Sequence, residues 1–413
     1  MSVTTVTIDS IAAGGDGVGR SEGLVVFVPR TAPGDVVTAD IESKGRFARG
    51  LVRTIVTPSP TRIEPPCPHY TRDRCGGCQL QHLDYDAGQR SAKRTIINDS
   101  LERIAKRQVK VPPIVRSPKE WRYRNKLTLA MRRRGQRWMA GLHQYDDPSR
   151  IFALADCPIT ERGVVATWRE IMDADAHFPE AVELRGSVRI TTGGPTFVLS
   201  GGRRWSAWES FAGAVPALAA LWWEPVDEPR RLLFDNRNDR APSASFAQVN
   251  AEMAEVLREY VLGRVMDYGP QSVVDAYSGA GHTAIELATR GIAVTAIELD
   301  RDASRWSAER LPPPSRAVTA RVEDALPGVL PADVVLLNPP RAGVDARVTS
   351  TLELEVDHLR SVIYVSCNPA TLARDLTRMP SYQIEAVQGF DMFPQTAHVE
   401  TVCVLRPTRT RAA

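Results

Sequence analysis

The six cysteines of this 413-residue chain fall into distinct settings, and those settings imply different chemistry. Cys67, Cys75 and Cys78 cluster in "CPHYTRDRCGGC", and Cys157 follows "FALAD" about eighty residues later. Three grouped thiols and a distant fourth suit a four-thiolate centre, and zinc and an iron–sulfur cluster fit that spacing equally well. His69 and His82 are nearby alternatives but read as surface or helix-facing residues. Cys403, inside the apolar run "TVCVL", reads as plain core. Cys367 ends the hydrophobic run "SVIYVSCNP" (361–369), where Asn368-Pro369 forces a turn. A thiol at a strand-to-helix turn gains thiolate character from the helix N-terminus, so Cys367 is a candidate nucleophile.

A second group complements it. Glu400 stands in "DMFPQTAHVETVCVL", just before the final strand run, as a candidate base. A thiolate paired with a base meets a specific chemical need. Carbon C5 of a neutral uracil is barely nucleophilic, and thiolate addition at C6 turns C5 into an enolate carbon that can accept a methyl group. A base must then remove the C5 proton so that the thiol can leave.

The methyl donor has its own signature. "VVDAYSGAGHTAIELA" places Asp275 at a strand end, Gly279 and Gly281 in the turn, and a helix after them. Glycines allow close backbone approach, and the helix start offers unpaired N–H groups. The pattern is not G-x-G-x-x-G and lacks the lysine of a phosphate-binding loop, which favours a nucleotide without a pyrophosphate. Glu298, at the end of the next strand, can accept both ribose hydroxyls. With Asp324 and the later strand ends, this arrangement suits S-adenosylmethionine.

These residues must be positioned by elements, and the pattern along the chain supplies them. Residues 1–57 alternate β-rich runs with Gly, Pro and Asp turns and are expected to form a five-stranded, OB-like barrel. "TPSPTRIEPPCP" reads as a linker into a central region, 58–245, of α+β character. Its helix at about 84–107 is basic and is expected to pack on the catalytic domain. From 246 to 413, helices alternate with four apolar runs: 272–281, 293–300, 333–341 and 361–369. Such runs suit parallel strands covered on both faces, giving a doubly wound, Rossmann-like α/β domain with its site along the carboxyl ends of the strands.

Charge points to the partner. The whole chain carries only +3, but residues 90–137 hold sixteen Lys or Arg against three Asp or Glu. That local excess of +13 is expected to form a polyanion-binding face. No run reaches the length of a membrane span, and the N-terminus lacks the form of a signal peptide, so a cytoplasmic location without membrane contact is expected.

Six ordered motifs carry a family resemblance: "FAQVN", "DAYSGAGHT", "IELD", "NPPRAGVD", "VSCNPATLARDL" and "DMFPQTAHVE". The chain resembles the S-adenosylmethionine-dependent RNA uracil-5 methyltransferases of the TrmA/RlmD type over nearly its whole length. The resemblance implies that Cys367 is the nucleophile, that Glu400 is the base, and that Gln248, Tyr277, His282, Glu298, Asp324 and Asn338 contact the cofactor. It favours a [4Fe–4S] cluster over zinc on Cys67, Cys75, Cys78 and Cys157, although the first interval is two residues longer than the family's usual one. It identifies the barrel as TRAM-like and implies an RNA partner, ribosomal RNA ahead of transfer RNA, for a monomeric enzyme. Trp121, Tyr123 and Trp138 then become candidates for stacking on unpaired bases of a flipped-out target region.

The chain departs from the family at Asn338, where an aspartate is common, and at His282, where an asparagine is frequent. Asn338-Pro339-Pro340 also resembles base amino-methyltransferases, but Arg341 stands where those enzymes have an aromatic residue. A catalytically inactive RNA-binding iron–sulfur protein is the third reading, and the intact Cys367 and Glu400 speak against it.

Overall fold

A computed structural model describes residues 2–238, 241–242 and 247–408. Phe246 of the "FAQVN" motif, and with it the expected boundary at 245/246, lies outside the described residues.

Strands β1 (Ser2–Ile11), β2 (Gly17–Ser21), β3 (Leu24–Val28), β4 (Val36–Ser43) and β5 (Phe47–Thr57) close into a barrel in the order β1-β2-β3-β5-β4. Period-two alternation drives closure, because Val6, Ile8, Val26, Val28, Val37 and Ala39 all point inward. Gly19 lets β1 and β2 approach, since a Cβ there would lie 2.2 Å from the Thr7 carbonyl oxygen. Arg30 fastens the barrel to the segment that follows. It donates to the Cys75 carbonyl at 2.8 Å and stacks between the Tyr70 and Tyr145 rings, 3.9 and 4.0 Å from their centroids.

Two helices lead onward: α1 (Pro68–Thr71), which starts directly after Cys67, and α2 (Ser91–Arg103). The central sheet comprises β6 (Lys126–Arg134), β7 (Arg137–His143), β8 (Ile151–Ala153), β9 (Glu183–Thr191), β10 (Gly194–Ser200), β11 (Ala220–Glu224) and β12 (Arg231–Asp235). Its order is β12-β11-β10-β9-β6-β7-β8. Helices α3 (Arg162–Asp173) and α4 (Trp208–Ala214) bury Trp168 and Phe211 in one core with Leu127, Leu129, Met131, Val188 and Phe197 of the sheet.

After α5 (Ala251–Met266) comes the third unit. Strands β13 (Ser272–Ala276), β14 (Ala293–Glu298), β15 (Arg316–Thr319), β16 (Val334–Leu337) and β17 (Ser361–Ser366) are parallel. They alternate with α6 (His282–Thr289), α7 (Arg301–Ala308), α8 (Val322–Ala325) and α9 (Ala346–Leu354), and α10 (Pro369–Leu376) follows β17. The four expected apolar runs become β13, β14, β16 and β17, and every residue of β16 and β17 is buried. The sheet then gains β18 (Tyr382–Phe390) and β19 (Glu400–Pro407), giving the order β15-β14-β13-β16-β17-β19-β18 with β19 antiparallel to its neighbours. Strand order reverses on either side of β13, which opens a ligand crevice at its carboxyl end.

Helix α2 lies against α10 and β18. Its Ile97 and Leu101 join the core formed by Tyr364, Leu372, Leu376 and Val387. Lys93, counted above as part of a basic surface, is wholly buried in an ion pair with Asp391 and also donates to the Phe393 carbonyl at 3.0 Å. Other cations of this segment serve main-chain carbonyls: Arg94 donates to Val111 at 2.7 Å and Arg107 to Tyr382 at 2.6 Å. Of the sixteen cations expected to form a polyanion-binding face, Lys93 alone is buried and eight stay exposed, Arg133, Arg134 and Arg137 among them.

Candidate active site

Two antiparallel strands bring the thiol and the carboxylate together. Strand β17 pairs with β19 up to Ser366 opposite Thr401, and Cys367 and Glu400 are the next residues beyond that pair, near enough for the carboxylate to act on the thiol. The turn at the thiol is built locally. The Ser366 hydroxyl accepts from Asn368 N at 3.2 Å, and the Asn368 side chain caps α10 by accepting from Ala370 N at 3.1 Å. Pro369 occupies the first turn, where its missing N–H costs nothing. Cys367 is left half-buried.

Burial raises the Cys367 thiol above its ordinary range, and the Glu400 carboxylate adds to the rise, while the positive charge of Arg341 opposes it. Glu400 is 3% exposed, and burial pushes it up to about 7 against the opposing effects of Gln248 and Arg341. Gln248 Nε2 lies 3.5 Å from Glu400 Oε1, while Oε2 has no hydrogen-bond partner among the described residues. A buried carboxylate titrating near neutrality with one free oxygen is poised to accept a proton. His398, in the same loop, is pushed down to about 4, first by burial and then by Arg341, Lys93 and Arg124. Arg341 belongs to a motif quoted above, but its proximity to Cys367 became visible only in three dimensions.

The crevice beside β13 holds most of the expected cofactor residues. Tyr277, Gly279 and Gly281 all have positive φ, at 62°, 57° and 75°, and the tyrosine pays a steric cost that glycine avoids. Asp275 is 5% exposed and accepts from Ala284 N at the start of α6. Burial raises it to about 7, and its Oδ2 is unpartnered among the described residues. Glu298 accepts from Gly279 N at 2.8 Å and Asp300 N at 2.7 Å, which fixes its carboxylate at the end of β14. Each carboxylate oxygen has further acceptor capacity for a hydroxyl. The backbone of Asn338 bonds to the Ala276 carbonyl at 3.2 Å, leaving its side chain exposed at the end of β16. His282 is exposed at the start of α6, and Asp324 is exposed and ion-paired with Arg347 at 2.7 Å. The orphaned Asp275 oxygen, the open glycine turn and the exposed helix start suit S-adenosylmethionine.

The four clustered-type cysteines line one cleft of about 390 Å³, with Leu127, Leu142, Leu154 and Ile159 among its apolar walls. Among the described residues, no three His, Cys, Asp or Glu side chains converge closely enough to grip a single metal ion. Burial raises the thiols of Cys75, to about 11, and of Cys78 and Cys157. His82 is engaged elsewhere: Nδ1 lies 2.7 Å from the Tyr70 hydroxyl and Nε2 3.1 Å from the Thr31 carbonyl. His69 faces Asp73 at 2.6 Å. Of the candidate stacking residues, Tyr123 is core, donating to the Pro394 carbonyl at 2.9 Å, and Trp121 and Trp138 pack against the central core.

The reversed strand order, the glycine turn and the fixed acidic residue define a methyltransferase of the doubly wound class, with an RNA-binding type of barrel at its front. Residues 318–408 match the tRNA (Uracil-5-)-methyltransferase family model, and residues 2–52 match the TRAM domain. An uncharacterized RNA methyltransferase of Protochlamydia amoebophila is 30% identical over 97% of this chain and 96% of its own length. Another, from Gloeobacter violaceus, is 33% identical over the same shares. The crystal structure of Pyrococcus abyssi tRNA (uracil-54, C5)-methyltransferase in complex with S-adenosyl-L-homocysteine shares the fold. It has a TM-score of 0.67 at 24% identity, covering 97% of this chain and 99% of that one. The chain belongs to the family of S-adenosylmethionine-dependent RNA uracil-5-methyltransferases.

Proposed function

We propose that the chain forms 5-methyluridine in RNA through a covalent adduct between Cys367 and uracil C6, with Glu400 as the base that ends the reaction. The observation that carries this reading is that Cys367 and Glu400 directly follow the last β17–β19 pair, Ser366–Thr401, and that the carboxylate acts on the thiol. S-adenosylmethionine supplies an electrophilic sulfonium methyl group. The Cys367 thiol releases its proton to solvent, its sulfur bonds to C6, and the electron pair of the C5–C6 double bond moves toward C5. C5 then takes the methyl group. Glu400 removes the C5 proton, its electron pair restores the double bond, and the C6–sulfur bond breaks to free the thiolate. The unpartnered Glu400 Oε2 is the oxygen free to receive that proton. Gln248 holds the other oxygen, while Asp275, Tyr277, Gly279, Gly281, His282, Glu298, Asp324 and Asn338 line the cofactor crevice.

Cys67, Cys75, Cys78 and Cys157 are read as ligands of a [4Fe–4S] cluster, with zinc as the lesser alternative. A cleft of about 390 Å³ favours a polyatomic centre over one ion, and binding would deprotonate thiols that burial otherwise keeps neutral. The cluster would tie the segment after the barrel to the central sheet. The working division is a barrel at 1–57, a central region at 58–245 and a catalytic domain at 246–413, in a cytoplasmic monomer. Among the described residues, no helix is long and apolar enough to cross a membrane.

The substrate is read as ribosomal RNA, because the barrel and thiol set accompany one another here. Transfer RNA is the second reading, favoured by the printed descriptions of the matched family model and the Pyrococcus structure. Mapping 5-methyluridine in ribosomal and transfer RNA from cells with and without the gene tests both: a site lost from neither pool would overturn the proposed activity.

A further inference from the structure

The loop that delivers Glu400 is fastened from outside itself. Residues 391–399 connect β18 to β19, and Glu400 is the first residue of β19. Within that loop four successive carbonyls each accept a hydrogen bond from elsewhere in the chain. Met392 accepts from Asn250 Nδ2 at 3.2 Å, Phe393 from Lys93 Nζ at 3.0 Å and Pro394 from the Tyr123 hydroxyl at 2.9 Å. Gln395 accepts twice, from Leu80 N at 3.0 Å and from Gln79 N at 3.2 Å. Buried main-chain carbonyls must find donors, and these donors fix the course of the loop.

Gln395 is the strained point of the loop. It is 2% exposed and has a φ of +70°, a left-handed conformation that is costly for a residue with a Cβ. Gln89 clamps it at two places: Gln89 Oε1 accepts from Gln395 N at 2.9 Å, and Gln89 Nε2 donates to Gln395 Oε1 at 2.9 Å. The same Nε2 donates to the Leu83 carbonyl at 3.1 Å, so three bonds hold the Gln89 carboxamide in one orientation. Gln89 is itself 1% exposed and lies in a single π-helical turn, Tyr85–Arg90, ahead of α2. Such turns are rare and recur at functional sites. Leu80, Leu83 and Ala397 close an apolar cluster around this join, which keeps out water that could replace the clamp. We infer that Gln89 is a positioning residue for Glu400: it holds Gln395 in its left-handed conformation against the Gln79–Leu80 main chain and so fixes where the loop sets the carboxylate beside Cys367. The inference rests on Glu400 being the base and deepens that reading. Only the final proton removal needs Glu400, so the role belongs to one step: methyl transfer onto the Cys367 adduct is spared, and breakdown of the adduct is not.

The test follows single turnovers of the full chain with S-adenosylmethionine and an RNA methylated by the wild type, scoring the denaturation-resistant methylated protein–RNA species over time. Gln89→Met keeps the length of the side chain but cannot form the bridge. In it that species should form at the wild-type rate and release RNA about tenfold more slowly, with S-adenosylmethionine affinity unchanged. Gln89→Met/Gln395→Gly should recover part of the release rate, because glycine takes a φ of +70° without a clamp. Gln395→Ala removes one bond of the bridge and leaves Gln89 in place; it should also slow release, and it replaces Gln89→Met if that variant does not fold. Release at the wild-type rate, while Glu400→Gln traps the species, would overturn the inference and leave the base reading standing. Equal slowing of formation and release would overturn it too, by reducing Gln89 to a part of the scaffold. If Glu400→Gln releases RNA as fast as the wild type, the base reading fails and the inference with it.

Discussion

Cys367 and Glu400 lie together at the end of the β17–β19 ladder, each one residue beyond the Ser366–Thr401 pair, and the carboxylate acts on the thiol. The antiparallel return of β19 brings the carboxylate, from far along the chain, to the strand end that carries the thiol. Arg341 acts electrostatically on both the thiol and the carboxylate. The resting pair is thus a protonated thiol beside a carboxyl group near its titration point.

This gives a pH profile with a definite sign. The base must be ionised, and Glu400 titrates at about 7. Below that value the loss of Glu400 ionisation adds about a tenfold fall in rate per pH unit to the fall that the Cys367 thiol already imposes. A profile flat from pH 5 to 8 under conditions where chemistry limits the rate would contradict Glu400 as base.

The same shift predicts stability. A carboxyl raised from 4.5 to about 7 binds its proton more tightly in the folded state. Its contribution is present below pH 4.5 and is lost as pH rises through 7, reaching about 3 kcal/mol. Glu400→Gln should therefore stabilise the protein relative to wild type at pH 8, with the gain vanishing near pH 4.5. Urea unfolding at the two pH values checks this.

Lys93 and Asp391 are both wholly buried, and the aspartate begins the loop that ends at Glu400. Lys93→Met leaves an unpaired buried carboxylate and should cost about 3–5 kcal/mol. Adding Asp391→Asn should restore part of that loss, and a double-mutant cycle in urea measures the coupling.

Gly281 opens α6 with φ of +75°, and a Cβ there would lie 2.2 Å from Ser307 Oγ. Gly281→Ala should weaken S-adenosylmethionine binding by about tenfold or more through displacement of the turn. Calorimetry reads that change, while oligouridylate affinity should be unaltered.

The parallel strands were legible because burial on both faces writes them as unbroken apolar runs, and Cys367 was legible because it ends one. The small barrel was legible from its period-two alternation and turn residues. The Cys367–Glu400 juxtaposition was not, since it depends on an antiparallel return strand whose register no local pattern records. Nor was the division of the basic segment. Lys93, Arg94 and Arg107 look no different along the chain from Lys126, yet three satisfy acceptors within the fold and one lines the cysteine cleft.

The most direct measurement is adduct trapping with Glu400→Gln, S-adenosylmethionine and an RNA methylated by the wild type. The account predicts a denaturation-resistant protein–RNA species that carries the transferred methyl group, maps to Cys367 and disappears when Cys367→Ala is added. Absence of any such species, although the variant binds both RNA and cofactor, would contradict it, as would an adduct that survives Cys367→Ala.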